Sequence, residues 1–205
     1  PLTGTPEALA RLTREDVIYF VHRNYTPDRI VVVAAGNIDH SDFVAQVRDC
    51  FWRMIGASRP LPPQSPVFRK AQVKHHGGSQ RAHFCVGLPA YSFAHPRRYA
   101  LHLLNRILGG ALSSRLFRRL REDMGIAYQV TSEYQAFRDG GMLLVEGSTS
   151  PGNRMAALDA IVEELNALVT GLRPVDEEEL WLAKTQLRST HLLGSQDAYT
   201  VMSRL

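Results

Sequence analysis

Four prolines crowd a short stretch of this chain, at positions 60, 62, 63 and 66. Proline gives no backbone N–H and its ring fixes φ, so neither a helix nor a central strand runs through such a segment. Residues 57–66 also carry no apolar period, which marks a break between two folding regions. The expected division is 1–56 as a helix-strand-helix region, 57–70 as a Pro-rich linker, and 71–205 as an α+β domain truncated at its C-terminus. Hydrophobic residues make up 44% of the 205, enough to give each region a core.

Upstream of the prolines, Thr13 and Asp16 form a capping-box-like pair ahead of Val17, Phe20 and Val21, predicting a short helix to about Asn24. Arg29 to Ala35 is a run of β-branched and small apolar residues that stops at Gly36-Asn37, as in a strand buried on both faces. A second helix is predicted from Ser41-Asp42, with Phe43, Val44, Val47, Phe51 and Met54 at helical spacing.

Downstream, Gln72–His76 and Ala82–Leu88 read as strands joined by Gly77, Gly78 and Ser79. Tyr99, Leu103, Leu104, Ile107 and Leu108 mark a helix that ends at Gly109-Gly110. Leu116, Phe117 and Leu120 mark another, with Ser113 as its N-cap. From Ile126 to Phe137 the period switches to two. Asp139-Gly140-Gly141 then supplies a hairpin and Met142–Ser148 the returning strand. Leu158, Ile161, Val162, Leu165, Leu168 and Val169 predict an amphipathic helix, and Asp176 with Glu179 caps a last one. The fold class is α+β: an antiparallel sheet covered by helix pairs.

Several kinds of chemistry find no support. The longest apolar runs fall far short of the roughly 20 residues of a membrane-spanning helix. A net charge of +4 is spread over 24 basic and 20 acidic residues, so no nucleic-acid partner is expected. Cys50 and Cys85 lie in apolar patterns and read as two buried free thiols. None of the eight histidines stands four residues from another. His95 and His102, if on one helix, are about 10 Å apart along its axis, too far to share an ion. His75 and His76 point to opposite faces of a strand, and His83 across the hairpin makes at most a pair. No metal ligands are therefore assigned. There is no Gly-x-Ser-x-Gly elbow and no P-loop, and Gly109-Gly110 read as a helix C-cap. Arg115, Arg118, Arg119 and Arg121 form a basic run that ordinarily marks a solvated face.

Arg121 and Tyr128 are harder to set aside. A Tyr here is first a sheet residue on the face of Ile126 and Val130. Placed together, however, a guanidinium and a phenol can hold a peptide backbone and donate to the oxyanion that forms when water attacks its carbonyl. The run that contains them has Gly109-Gly110, then Ser113-Ser114-Arg115-Leu116-Phe117, Leu120-Arg121-Glu122 and Gly125-Ile126-Ala127-Tyr128. This run resembles the signature of the insulinase, pitrilysin and mitochondrial processing peptidase family of zinc metallopeptidases. Tyr25–Asp39, Gln80–Pro89 and Glu178–Leu187 are similar to other segments of that family, so the resemblance covers nearly the whole chain.

The resemblance implies two related α+β halves enclosing a peptide chamber. The zinc motif H-x-x-E-H belongs to the first half, and this chain starts downstream of it. The chain itself would then be non-catalytic and hold no cofactor, with zinc bound elsewhere in the parent protein. Arg121 and Tyr128 match the auxiliary pair that the second half contributes on the substrate side. Gly109 and Gly110 match its glycine-rich turn and become candidate substrate contacts, although Ala111 replaces a third glycine. Implied partners are a peptide substrate and either the zinc-bearing N-terminal half or a partner subunit, as a homo- or heterodimer. The short glycine turn favours a bacterial-type parent, of cytoplasm or periplasm. The alternative implied is an inactive partner or structural core subunit of the same family.

Overall fold

In the computed structural model, residues 3–54, 66–74 and 78–203 are described. The chain separates into two units, one made of residues up to 62 together with those from 193 on, the other of residues 63–192.

The first unit is helical. Helices α1 (Pro6–Arg11) and α2 (Arg14–Asn24) are each set by a threonine cap. At α2 the expected capping box is complete: the Thr13 hydroxyl accepts from the Asp16 N–H at 3.2 Å, and the Asp16 carboxylate accepts from the Thr13 N–H at 3.0 Å. Helix α3 (His40–Phe51) starts one residue earlier than expected because Asp39 is its cap, accepting from the N–H groups of Ser41 and Asp42. The strand expected over Arg29–Ala35 does not form. Residues 27–29 make a 3-10 turn and the next six are irregular, with Val31 fully open to solvent. A strand exists only where another supplies ladder partners, and none of the described residues of this unit is in a strand. Helix α8 (Ala198–Met202), capped by Asp197, completes the unit.

The second unit is α+β. Strands β1 (Ala82–Ala90), β2 (Ala127–Ala136) and β3 (Gly141–Thr149) form an antiparallel sheet in the order β1-β3-β2. The hairpin expected between Gln72–His76 and β1 is absent over the described part: residues 72–74 are irregular, and 75–77, like most of the Pro-rich segment, lie outside the described residues. β1 pairs instead with β3, sixty residues away. Phe84, Val86 and Leu88 of β1, Val130 and Tyr134 of β2, and Leu143 and Val145 of β3 point to one face. Against that face pack α4 (Arg98–Leu108), the short α5 (Arg115–Phe117), the helical turn that follows it and α6 (Arg154–Val169), through Leu108, Leu116, Leu120 and Ile161. The other face carries the exposed Cys85, Thr131, Glu133 and Glu146. Both cysteines are free but exposed rather than buried, and Cys85 donates weakly to its cross-strand neighbour Glu146 at 3.6 Å. Partial desolvation against the sheet, followed by the Glu146 charge, holds the Cys85 thiol above its usual pKa.

Three details of the helices depart from the apolar pattern. The residue before α5 is Ser114, not Ser113, and its buried hydroxyl has no partner among the described residues. Helix α6 buries Ala157, Ala160, Ile161 and Ala167, while Val162 and Val169 are exposed. Glu164 shares the buried side because cations meet it there. The arginine run is accordingly not all solvated. Arg115 donates to both carboxylate oxygens of Glu179, at 2.7 and 2.5 Å, to Glu164 at 3.3 Å, and to the carbonyls of Arg173 and Pro174, each at 2.8 Å. Arg119 pairs with Glu163 and Glu164, and Arg173 with Glu164 at 2.9 Å. Helix α7 (Glu177–Gly194) begins with Asp176 and Glu179 in the expected reciprocal cap.

Three outcomes follow for stability. Removing one partner of a largely buried pair strands the other, so Arg115→Ala should cost about 3–5 kcal/mol in denaturant unfolding. The Arg115 hydrogen bonds hold the Glu179 carboxyl below its usual pKa. That pairing contributes stability above about pH 4.3, the ordinary glutamate value, and loses it as pH falls through the lowered folded value. Glu179→Gln should therefore lower the Tm near neutrality and make its acid limb shallower. At Gly109 an added Cβ would stand 2.7 Å from the Ser132 nitrogen, so Gly109→Ala should destabilise by about 1–3 kcal/mol.

Candidate functional site

The segment between α5 and β2 positions Arg121. After Phe117 the helix widens into a π-helix, Arg118–Asp123, closed by an N–H from Met124 to the Arg119 carbonyl at 3.0 Å. Leu116 and Leu120 anchor it in the core. Gly125, at φ +60, then turns the chain into β2, a conformation that glycine adopts at no steric cost. The N–H of Ile126 returns to the Leu120 carbonyl at 3.0 Å, and Thr149 donates to the Ile126 carbonyl at 2.5 Å.

Tyr128 is placed by a β-bulge. Ala127 stands opposite Thr149 and Gln129 opposite Ser148, which leaves Tyr128 as the extra residue. In an unbroken strand Tyr128 would share the inward face of Val130. The bulge instead turns it out, 69% exposed, while Ala127 and Val130 on either side of it remain buried. Its ring comes to lie 5.1 Å from the guanidinium carbon of Arg121, which also stands 4.9 Å from the Phe117 ring. Such contacts fix a cation through its charge and plane, leaving its N–H groups for other acceptors. The two residues singled out in the sequence are therefore neighbours on the surface.

A third residue joins them that sequence reasoning missed. Arg81 approaches the Tyr128 ring at 5.8 Å. The sheet register explains its arrival, since Ala82 and Ala127 both stand opposite Thr149, so the starts of β1 and β2 flank the end of β3. Nothing in the linear sequence tied Arg81 to Tyr128; only this three-strand row does. Together with Gln80, Ser148 and Ser150 these residues line a depression of about 510 Å3.

Gly109 and Gly110 lie elsewhere. Both donate to the Asn105 carbonyl as the C-cap of α4, and the Gly109 carbonyl accepts from the Ser132 N–H at 3.1 Å. The Ser132 hydroxyl donates to the Asn105 side chain at 2.7 Å. The glycines permit this close approach of helix end to strand and do not line the Arg121–Tyr128 depression.

Among the described residues no three His, Cys, Asp or Glu side chains gather where they could hold a metal ion. His95 stands ahead of α4, not on it, stacked on Tyr91 at 3.9 Å, with Nδ1 accepting from the Arg97 N–H. His102 packs edge-on to Tyr134 at 4.9 Å, and burial, with Arg98 and Arg106 nearby, lowers its pKa. The described donor set of this chain does not fit zinc. No helix among the described residues is long and apolar enough to cross a membrane.

Residues 11–187 match the family model described as the Peptidase M16 inactive domain. An uncharacterized zinc protease of Mycobacterium leprae is 38% identical over 217 residues, an alignment covering 100% of this chain and 47% of that protein. One of Bacillus subtilis is 34% identical over 205 residues, covering 100% and 49%. The chain thus spans about half the length of the curated relatives it matches. Solved structures share the fold. A protease from Helicobacter pylori superposes with a TM-score of 0.83 at 21% identity, over 97% of this chain and 49% of that one. A peptidase M16 inactive domain from Pseudomonas fluorescens gives 0.80 at 18% identity, over 98% and 48%. A chain of complex III2 from Candida albicans gives 0.81 at 18%, over 100% and 50%. The match over most of the sequence, on an antiparallel sheet with helices packed on its inner face, makes this chain a member of the Peptidase M16 inactive-domain family.

Proposed function

We propose that this chain is the non-catalytic half of a zinc-dependent peptidase, that it forms part of the wall of a peptide-binding chamber, and that Arg121 and Tyr128 act on the substrate side of proteolysis. The observation that carries the reading is the bulge at Tyr128, which turns a phenol out of the core and beside a guanidinium that no described carboxylate neutralises. A bulge that interrupts the ladder and an exposed aromatic both cost stability, and bulges of this kind are common beside functional sites. The names of the curated relatives, zinc proteases about twice as long, support placing the metal in the remaining half of the parent protein.

Zinc, bound there, would supply the activated water. This chain's own residues have a different part. Arg121 would donate to a peptide carbonyl through its planar N–H groups, and the Tyr128 hydroxyl would donate to the oxygen on which negative charge grows. A parent without its own zinc motif fits the same geometry, lending the pair to a zinc-bearing partner subunit.

In the complete protein, Tyr128→Phe should lower kcat by about a hundredfold while leaving zinc content and Tm unchanged, as loss of one oxyanion donor does. Unchanged turnover in both Tyr128→Phe and Arg121→Gln would remove their assigned role. Metal analysis of the 205-residue chain alone should find well under one zinc per chain, and a stoichiometric, tightly held zinc would contradict this division of labour.

A further inference from the structure

We infer that the depression beside Tyr128 is a carboxylate subsite, with Arg81 as its specificity-determining residue and a carboxylate of the bound peptide as its ligand. The inference rests on the peptide-chamber reading above and deepens it.

Two guanidiniums share one ring. Arg121 lies 5.1 Å and Arg81 5.8 Å from the Tyr128 centroid, so two fixed positive charges border one depression. Arg115, Arg119 and Arg173 meet carboxylates. Among the described residues Arg81 and Arg121 meet none. None of the described residues lining the depression is acidic; the rest of its wall includes Gln80, Ser148, Thr149 and Ser150, which bring hydroxyls and an amide. Both arginines line that depression, and a carboxylate bound there would meet in-plane donors that the ring contacts leave unused. Arg121 is further fixed by Phe117 at 4.9 Å, and Tyr128 by the bulge, so the site is formed before a ligand arrives. The planar fork of each guanidinium suits a carboxylate better than any neutral peptide group.

A peptide carries carboxylates from two sources, its C-terminus and its Asp or Glu side chains. The chemistry is shared, and experiment separates them. One otherwise uncharged peptide is made with a free C-terminus, with a C-terminal amide, and as the amide with one internal Gln replaced by Glu. Each is titrated against the 205-residue chain at low salt, by calorimetry. At least one carboxylate form should bind about tenfold tighter than the plain amide, and that preference should shrink as salt rises. Whichever form gains identifies the source. Arg81→Gln should abolish the preference, and Arg81→Lys should keep part of it; Arg81 is exposed, so neither change threatens folding.

Equal affinity for all three peptides overturns the inference and leaves the chamber reading standing. A preference that survives Arg81→Gln overturns the role of Arg81. Failure of every form to bind also overturns the inference, while the chamber reading stands or falls on Tyr128→Phe and Arg121→Gln in the complete protein.

Discussion

The second unit is organised around the burial of one guanidinium. Arg115 sits at the start of α5 with two carboxylates and two main-chain carbonyls around it, drawn from α6, α7 and the loop between them. A charge taken this far out of water is stable only with its donors filled, so the four groups must arrive together. That requirement fixes where α6 and α7 lie relative to α5. It also explains why Glu164, which an apolar pattern has no place for, occupies the buried side of α6 among alanines.

With α5 held, the geometry of the candidate site follows in steps. Leu116 and Leu120 enter the core on either side of the change to π-helical winding, which leaves Arg121 outside. Gly125 reverses the chain in a conformation that a side chain would resist. The strand then begins with a bulge, so Ala127 and Val130 are both buried although three residues apart. Tyr128 is the residue displaced. The face of the sheet that carries Glu146, Thr131 and Glu133 runs on from that point, and the starts of two strands converge there.

Much of the second unit was legible in the sequence because its elements are closed by local chemistry. The hairpin glycines, the C-cap at Gly109, the reciprocal cap of Asp176 with Glu179 and the period of two in β2 each depend on residues close in the chain. The first unit was read less well. Its capped helices form as expected, but the apolar run after Arg29 makes no strand, because a strand is a property of a pair. Cys50 and Cys85 are exposed despite their apolar neighbours for a related reason, since an apolar pattern does not say which face a fold leaves open.

The sequence by itself determined the family, the α+β class and the identity of Arg121 and Tyr128 as the pair to test, because those rest on residue types at short, fixed spacings. Only the tertiary structure decided that the pair is adjacent, that Arg81 joins it, and that Gly109 and Gly110 serve packing away from that depression. The reason is physical. A bulge, a sheet register and an ion-pair hub are balances among groups distant in the chain, and no spacing along it records them.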